Sequence, residues 1–124
     1  MRFWTGNRMK PKVLILVTSD PRQTHRPSEA VRIAAGVGAW KKAEVQIYLR
    51  GPAILAAAEW VDGLSGEDDL VRYLPLTAGP GHPVWVQAGA AELAELGASP
   101  VEWAAIDDRE LARRCAESTY VLRF

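Results

Sequence analysis

Thiol and imidazole chemistry are scarce in this chain: 124 residues hold one cysteine, Cys115, and two histidines, His25 and His82. A single cysteine closes no internal disulfide, and two imidazoles do not complete a cysteine-rich metal site, so no metal is expected. Net charge is lacking as well, because fifteen basic and fifteen acidic side chains cancel. Without a global field there is nothing to draw in nucleic acid or an anionic membrane, and neither is expected as a partner. No apolar run approaches the roughly 20 residues of a membrane-spanning helix, and none of signal-peptide type precedes Pro11. A cytoplasmic location is the expectation. The chain also lacks a Walker-type phosphate loop and a G-x-G-x-x-G after its first strand, and no G-x-S-x-G frames Ser19, although Ser19, His25 and Asp107 supply nominal hydrolase ingredients. Triphosphates, dinucleotides and serine hydrolysis are thereby disfavoured, and no cofactor is expected.

What is present is a regular alternation of strand and helix patterns. After a polar tail over residues 1–11, Val13 to Val17 is continuously apolar, as in a strand covered on both faces. Pro27-Ser28 opens a helix whose Ala30, Ile33, Ala34, Val37 and Trp40 fall at helical spacing. Glu44 to Leu49 alternates with period two and predicts a second strand. Pro52 begins a predicted helix with Ile54, Leu55, Ala58 and Val61 on its stripe, ended by Gly63. Leu70, Val71 and Leu74 behind Glu67-Asp68-Asp69 predict a short helix stopped by Pro75. Val84 to Gln87 is the third strand, Ala90 to Leu96 a helix that Gly97 ends in the left-handed conformation, and Val101 to Ala105 the fourth strand. Asp107 with Glu110 three positions on forms a capping box for the last helix, and Thr119 to Phe124 reads as a fifth strand. The pattern predicts an α/β domain over residues 12–124, a three-layer α/β/α sandwich around a five-stranded, mainly parallel sheet, with the strand order unassigned.

In open α/β sheets ligands bind outside the carboxyl ends of the strands. The loop after the first strand, Thr18 to Arg26, carries Thr18, Ser19, Asp20, Arg22, His25 and Arg26 into a helix N-terminus. Arg50 follows the second strand, Gln87 ends the third and Asp107-Asp108 follows the fourth, with Asp107 taken into the site. These nine residues form the candidate ligand site, in which Arg22, Arg26 and Arg50 surround a small anion or carboxylate and His25 exchanges a proton near neutral pH. His82 precedes the third strand and belongs at the opposite edge in a packing role. Among the tryptophans, Trp40, Trp60, Trp85 and Trp103 read as structural, whereas Trp4 in the tail packs onto the domain or a partner.

The opening Val13 to Asp20, the helix Ser28 to Trp40, the stretch Pro83 to Gly97 and the closing Ala116 to Phe124 resemble the DsrE/DsrF-like family, from Lys12 onward over nearly the whole chain. The resemblance implies a homo-oligomer, a trimer or hexamer, or a mixed complex with related subunits. In some members it also implies a persulfide carried on a cysteine just after the third strand, at the start of the next helix. The corresponding residues here are Gln87-Ala88-Gly89-Ala90, without a thiol. Sulfur relay needs an accessible thiolate of depressed pKa. Cys115 is instead expected on the apolar stripe of the last helix with Leu111 and Ala112, buried and inert. The resemblance and the residues together predict a non-catalytic DsrE-like protein, a small-ligand-binding or assembly subunit with a polar pocket at the carboxyl edge. The alternative is an enzyme: a sulfur carrier acting through a persulfide on Cys115, or chemistry by His25 with Asp20.

Overall fold

The computed structural model describes residues 10–79 and 81–124. Residues 1–9 of the expected tail, Trp4 included, lie outside the described residues, while Lys10 and Pro11 are exposed. The sheet has five strands in the order β4-β3-β2-β1-β5: β1 Lys12–Val17, β2 Glu44–Leu49, β3 Val84–Gln87, β4 Trp103–Ile106 and β5 Tyr120–Arg123. All four pairings are parallel, with Ile15 opposite both Ile47 and Leu122. The apolar run of β1 is buried on both sides, Leu14 on one and Ile15 and Val17 on the other, as its lack of alternation predicts.

The two faces are covered unequally. Helices α1 (Arg26–Ala39) and α2 (Glu67–Thr77), with 3-10 segments Gly51–Ala57 and Ala91–Glu95, enclose the larger core. Ile15, Val17, Ile47, Leu49, Val84 and Val86 meet Val31, Ala34, Ile54, Leu70 and Leu74 there. Among the described residues the other face carries only α3 (Asp108–Glu117), over a small cluster of Leu14, Tyr48 and Ile106 bordered by Leu16, Trp85, Leu111 and Cys115.

Several elements differ from the sequence expectation for identifiable reasons. The segment after Pro52 is 3-10 rather than α, and it stops at Ala57. Its Ala53, Ile54, Ala56 and Ala57 are all buried, so the apolar stripe was one side of a segment enclosed all round. The chain leaves the helical path because the Glu59 amide donates to the Leu96 carbonyl at 2.8 Å. Residues 91–95 are likewise 3-10, although Gly97 takes the expected left-handed conformation at φ 58°. Pro75 does not end α2 but sits inside its last turn. A proline there removes only the bond to Val71, whose side chain is on the solvent side, 65% exposed. On α1 the buried face is Pro27, Ser28, Ala30, Val31 and Ala34; Trp40 follows the helix and is 73% exposed. Trp60 and Trp103 are exposed as well, so the structural role expected for the four tryptophans holds for Trp85 alone. Among the described residues no helix is long and apolar enough to cross a membrane.

Candidate functional site

The parallel register brings the ends of β1, β2, β3 and β4 to one edge, and the polar residues that follow them are largely engaged with one another. At the exit of β1, the Thr18 amide donates to the Phe124 carbonyl at 2.8 Å and the Thr18 hydroxyl reaches the same oxygen at 3.4 Å. Arg26 donates through Nη2 to the Arg123 carbonyl at 3.2 Å, and its guanidinium lies 5.6 Å from the centroid of the Phe124 ring. The loop is therefore tied to the end of β5, whose order beside β1 the sequence did not disclose.

Asp20 turns back on its own loop. Its carboxylate accepts from the Arg22 backbone amide at 2.9 Å, and from Arg22 Nε and Nη2 at 3.0 and 2.9 Å. The guanidinium of Arg22 holds the Asp20 carboxyl below the usual carboxylate range. Ser19 is half-buried beside it.

At the end of β2, Arg50 Nη1 donates to the Tyr48 hydroxyl at 2.9 Å and to Asp108 Oδ1 at 2.8 Å. Asp108 is held low by that guanidinium, while burial pushes the Tyr48 phenol up against the opposing pull of Arg50. Gln87 Oε1 accepts from the Gly51 amide at 3.0 Å, fixing the start of the 3-10 segment. Asp107 is the N-cap of α3 and accepts from the Glu110 amide at 2.8 Å, as the capping box predicts. The Glu110 side chain does not complete the reciprocal half of that box. It pairs with Arg113 and Arg114 instead.

His25 stands apart from the Arg50 group. It lines an open groove between α1 and α2 with Ser28, Glu29, Arg32, Glu67, Asp68 and Asp69, and its carbonyl accepts from the Ser28 hydroxyl at 2.9 Å. The arrangement thus resolves into four small sets: Thr18 and Arg26 with the end of β5, Asp20 with Arg22, Arg50 with Tyr48 and Asp108, and Gln87 with Gly51. Tyr48 and Asp108, absent from the sequence-derived site, complete the Arg50 set. The period-two pattern of β2 put Tyr48 two residues before Arg50, on the same side of the strand, which is the one signal that pointed to it. With their carboxylates held ionised by guanidinium partners, Asp20 and Asp108 are poor proton donors at neutral pH.

Cys115 is half-buried rather than fully buried, packed with Leu111 at the border of the Leu14, Tyr48 and Ile106 cluster. Ala112, expected beside it, is exposed, because the inner face of α3 follows Leu111, Arg114, Cys115 and Ser118 at i, i+3, i+4 and i+7. Arg114 covers Trp85, its guanidinium 3.9 Å from the ring centroid. His82 lies at the opposite edge, where Nε2 donates to the Val45 carbonyl at 2.8 Å. Among the described residues no group of three or more His, Cys, Asp or Glu side chains is placed to hold a metal ion.

No known family's sequence model matches the chain, and no curated protein matches it. Among solved structures it is similar to the crystal structure of the YchN protein from E. coli, with a TM-score of 0.70 and 16% identity over 92% of this chain and 99% of that one. The likeness is one of fold, and it agrees with the α/β architecture around a five-stranded parallel sheet described above.

Proposed function

We propose that this chain is a non-catalytic, DsrE-like assembly subunit that forms a homo-oligomer through the open edge of its sheet. The observation that carries this reading is β5. Among the described residues it pairs only with β1, and it exposes Tyr120 by 59% and Val121 and Leu122 by 41% each. An uncovered edge strand bearing large apolar side chains is a template for association, and soluble chains that remain monomeric usually blunt such an edge.

Ligand binding at the carboxyl edge is the weaker form of the reading, since an anion there would have to displace Asp20 from Arg22 or Asp108 from Arg50. Sulfur transfer has less support still: residues 87–90 hold no thiol, and Cys115 rests against Leu111 on the inner face of α3.

Sedimentation equilibrium tests the proposal. The native protein is expected at a multiple of the chain mass, and Tyr120→Lys, which adds a charge at an exposed edge position, is expected to shift it toward the monomer with its thermal midpoint nearly unchanged. A monomeric native protein at the highest soluble concentration would sink the assembly reading.

A further inference from the structure

Strand β5 is open on its outer side among the described residues, and the backbone groups it offers there are few. Phe124, next after the strand, turns both of its own to β1: its amide donates to the Leu16 carbonyl at 2.8 Å, and its carbonyl accepts from the Thr18 amide at 2.8 Å. Alternate residues of a strand point opposite ways, so Leu122 also faces β1 while Val121 and Arg123 face outward. The Arg123 carbonyl already accepts from Arg26 Nη2 at 3.2 Å. The edge thus offers the N–H and C=O of Val121 and the N–H of Arg123.

The side chains sort in the same way. Tyr120 pairs with Val13 and Leu122 with Ile15, so both project onto the face that α1 and α2 cover, yet they are 59% and 41% exposed. Arg26 marks the flank of α1 that looks toward β5, because its guanidinium lies against the Phe124 ring. Ile33, Val37 and Trp40 follow it at i+7, i+11 and i+14 on that flank, outside the buried face of the helix. Trp40 is 73% exposed.

Given the edge-mediated assembly proposed above, on which this rests, we infer that two copies pair their β5 strands antiparallel about a two-fold axis at Val121. Val121 then exchanges both of its free backbone groups with the partner's Val121, and Arg123 faces the partner's Thr119. Tyr120 falls opposite the partner's Leu122, and Leu122 opposite the partner's Tyr120, as non-hydrogen-bonded pairs whose Cβ atoms approach to about 4.5–5.5 Å. Four exposed apolar side chains cover one another in this way, between the flanks of the two α1 helices. An axis at Leu122 instead would set Val121 against the partner's Arg123, whose carbonyl Arg26 occupies. Trp40 and Tyr120 expose about 300 Å² of each copy, more than a third of the roughly 800 Å² that a standard interface takes from each partner. The opposite edge offers less, since β4 presents Ala104 and Ala105 beside Trp103. A two-fold pairing also closes on itself, so it uses the β5 edge once and does not extend into a fibre.

Disulfide scanning reads the register. In a Cys115→Ala background, Val121→Cys is expected to form a covalent dimer under mild oxidation about tenfold or more faster than Tyr120→Cys. Cα atoms of a hydrogen-bonded pair lie about 5.5 Å apart, within disulfide reach, whereas position 120 meets its own copy only across a diagonal of about 7–8 Å. Hydrogen exchange tests the unsubstituted chain: the Val121 amide is expected to exchange about tenfold or more slowly relative to the Tyr120→Lys protein. Suppose that Tyr120→Lys dissociates the assembly, but Val121→Cys cross-links no faster than Tyr120→Cys and the Val121 amide exchanges freely. That result would overturn the two-fold pairing and leave the assembly itself standing, as would a native mass at an odd multiple of the chain. A monomeric native protein would overturn both.

Discussion

Gly66 shows how closely one position can be specified. It has φ 72° at the start of α2, and a Cβ built there would lie 2.2 Å from Ser28 Oγ and 2.5 Å from Ser28 Cβ. Ser28 is 2% exposed and its hydroxyl is committed to the His25 carbonyl, so it has little freedom to move aside. Gly66→Ala is therefore expected to cost about 2–4 kcal/mol in denaturant unfolding, combining left-handed strain with overpacking. Adding Ser28→Gly removes the colliding atoms and should recover the packing part, leaving the backbone part of about 1–2 kcal/mol. A double variant no better than the sum of the two single ones would show that the close approach to Ser28 is not the cause. The glycine count alone said nothing of this, because the close approach joins α2 to α1 across the fold.

At the scale of elements, α3 is held mainly at its start. Asp107 caps it, Leu111 and Cys115 touch the smaller core, Arg114 covers Trp85, and the outer face is solvated, with ion pairs linking Glu110, Arg113, Arg114 and Glu117. Exposed pairs of this kind contribute little, whereas a lost N-cap costs about 0.5–2 kcal/mol. Asp107→Ala is accordingly expected to destabilise the protein by about 1 kcal/mol, with a much smaller effect from Asp108→Asn despite its contact with Arg50. Circular dichroism during denaturant unfolding checks both, and equal losses would contradict the assignment of the cap. This cap was legible in the sequence because Asp107 and Glu110 act over three residues, and the strands were legible because each is a local pattern. The 3-10 form of Gly51–Ala57 was not, since a segment buried on every side satisfies a helical stripe whatever its pitch, as Ile54 and Leu55 do. The candidate site was legible as a sheet edge. Its pairings were not, because Arg50 finds Asp108 58 positions away and Thr18 finds Phe124 106 positions away.

For the molecule as a whole, the strand order β4-β3-β2-β1-β5 sends the last crossover alone to one face, and the stability of the two faces should differ in consequence. The larger core fixes β1, β2 and β3 under α1 and α2, and the apolar area it buries dominates the free energy of folding. The smaller one has three buried side chains, and β5 beyond it is exposed along its length. The α3 and β5 layer is therefore expected to open below the free energy of global unfolding, and Cys115 reports on it from the only thiol in the chain. In the native protein a thiol reagent should label Cys115 more slowly than a free thiol. The rate should climb at denaturant concentrations well below the midpoint at which the far-ultraviolet circular dichroism, carried mainly by α1 and α2, is lost. Labelling that rises only with global unfolding would mean that both faces act as one cooperative unit. Labelling at the free-thiol rate without denaturant would mean an open thiol, and it would give the sulfur-carrying alternative the accessible group that chemistry requires.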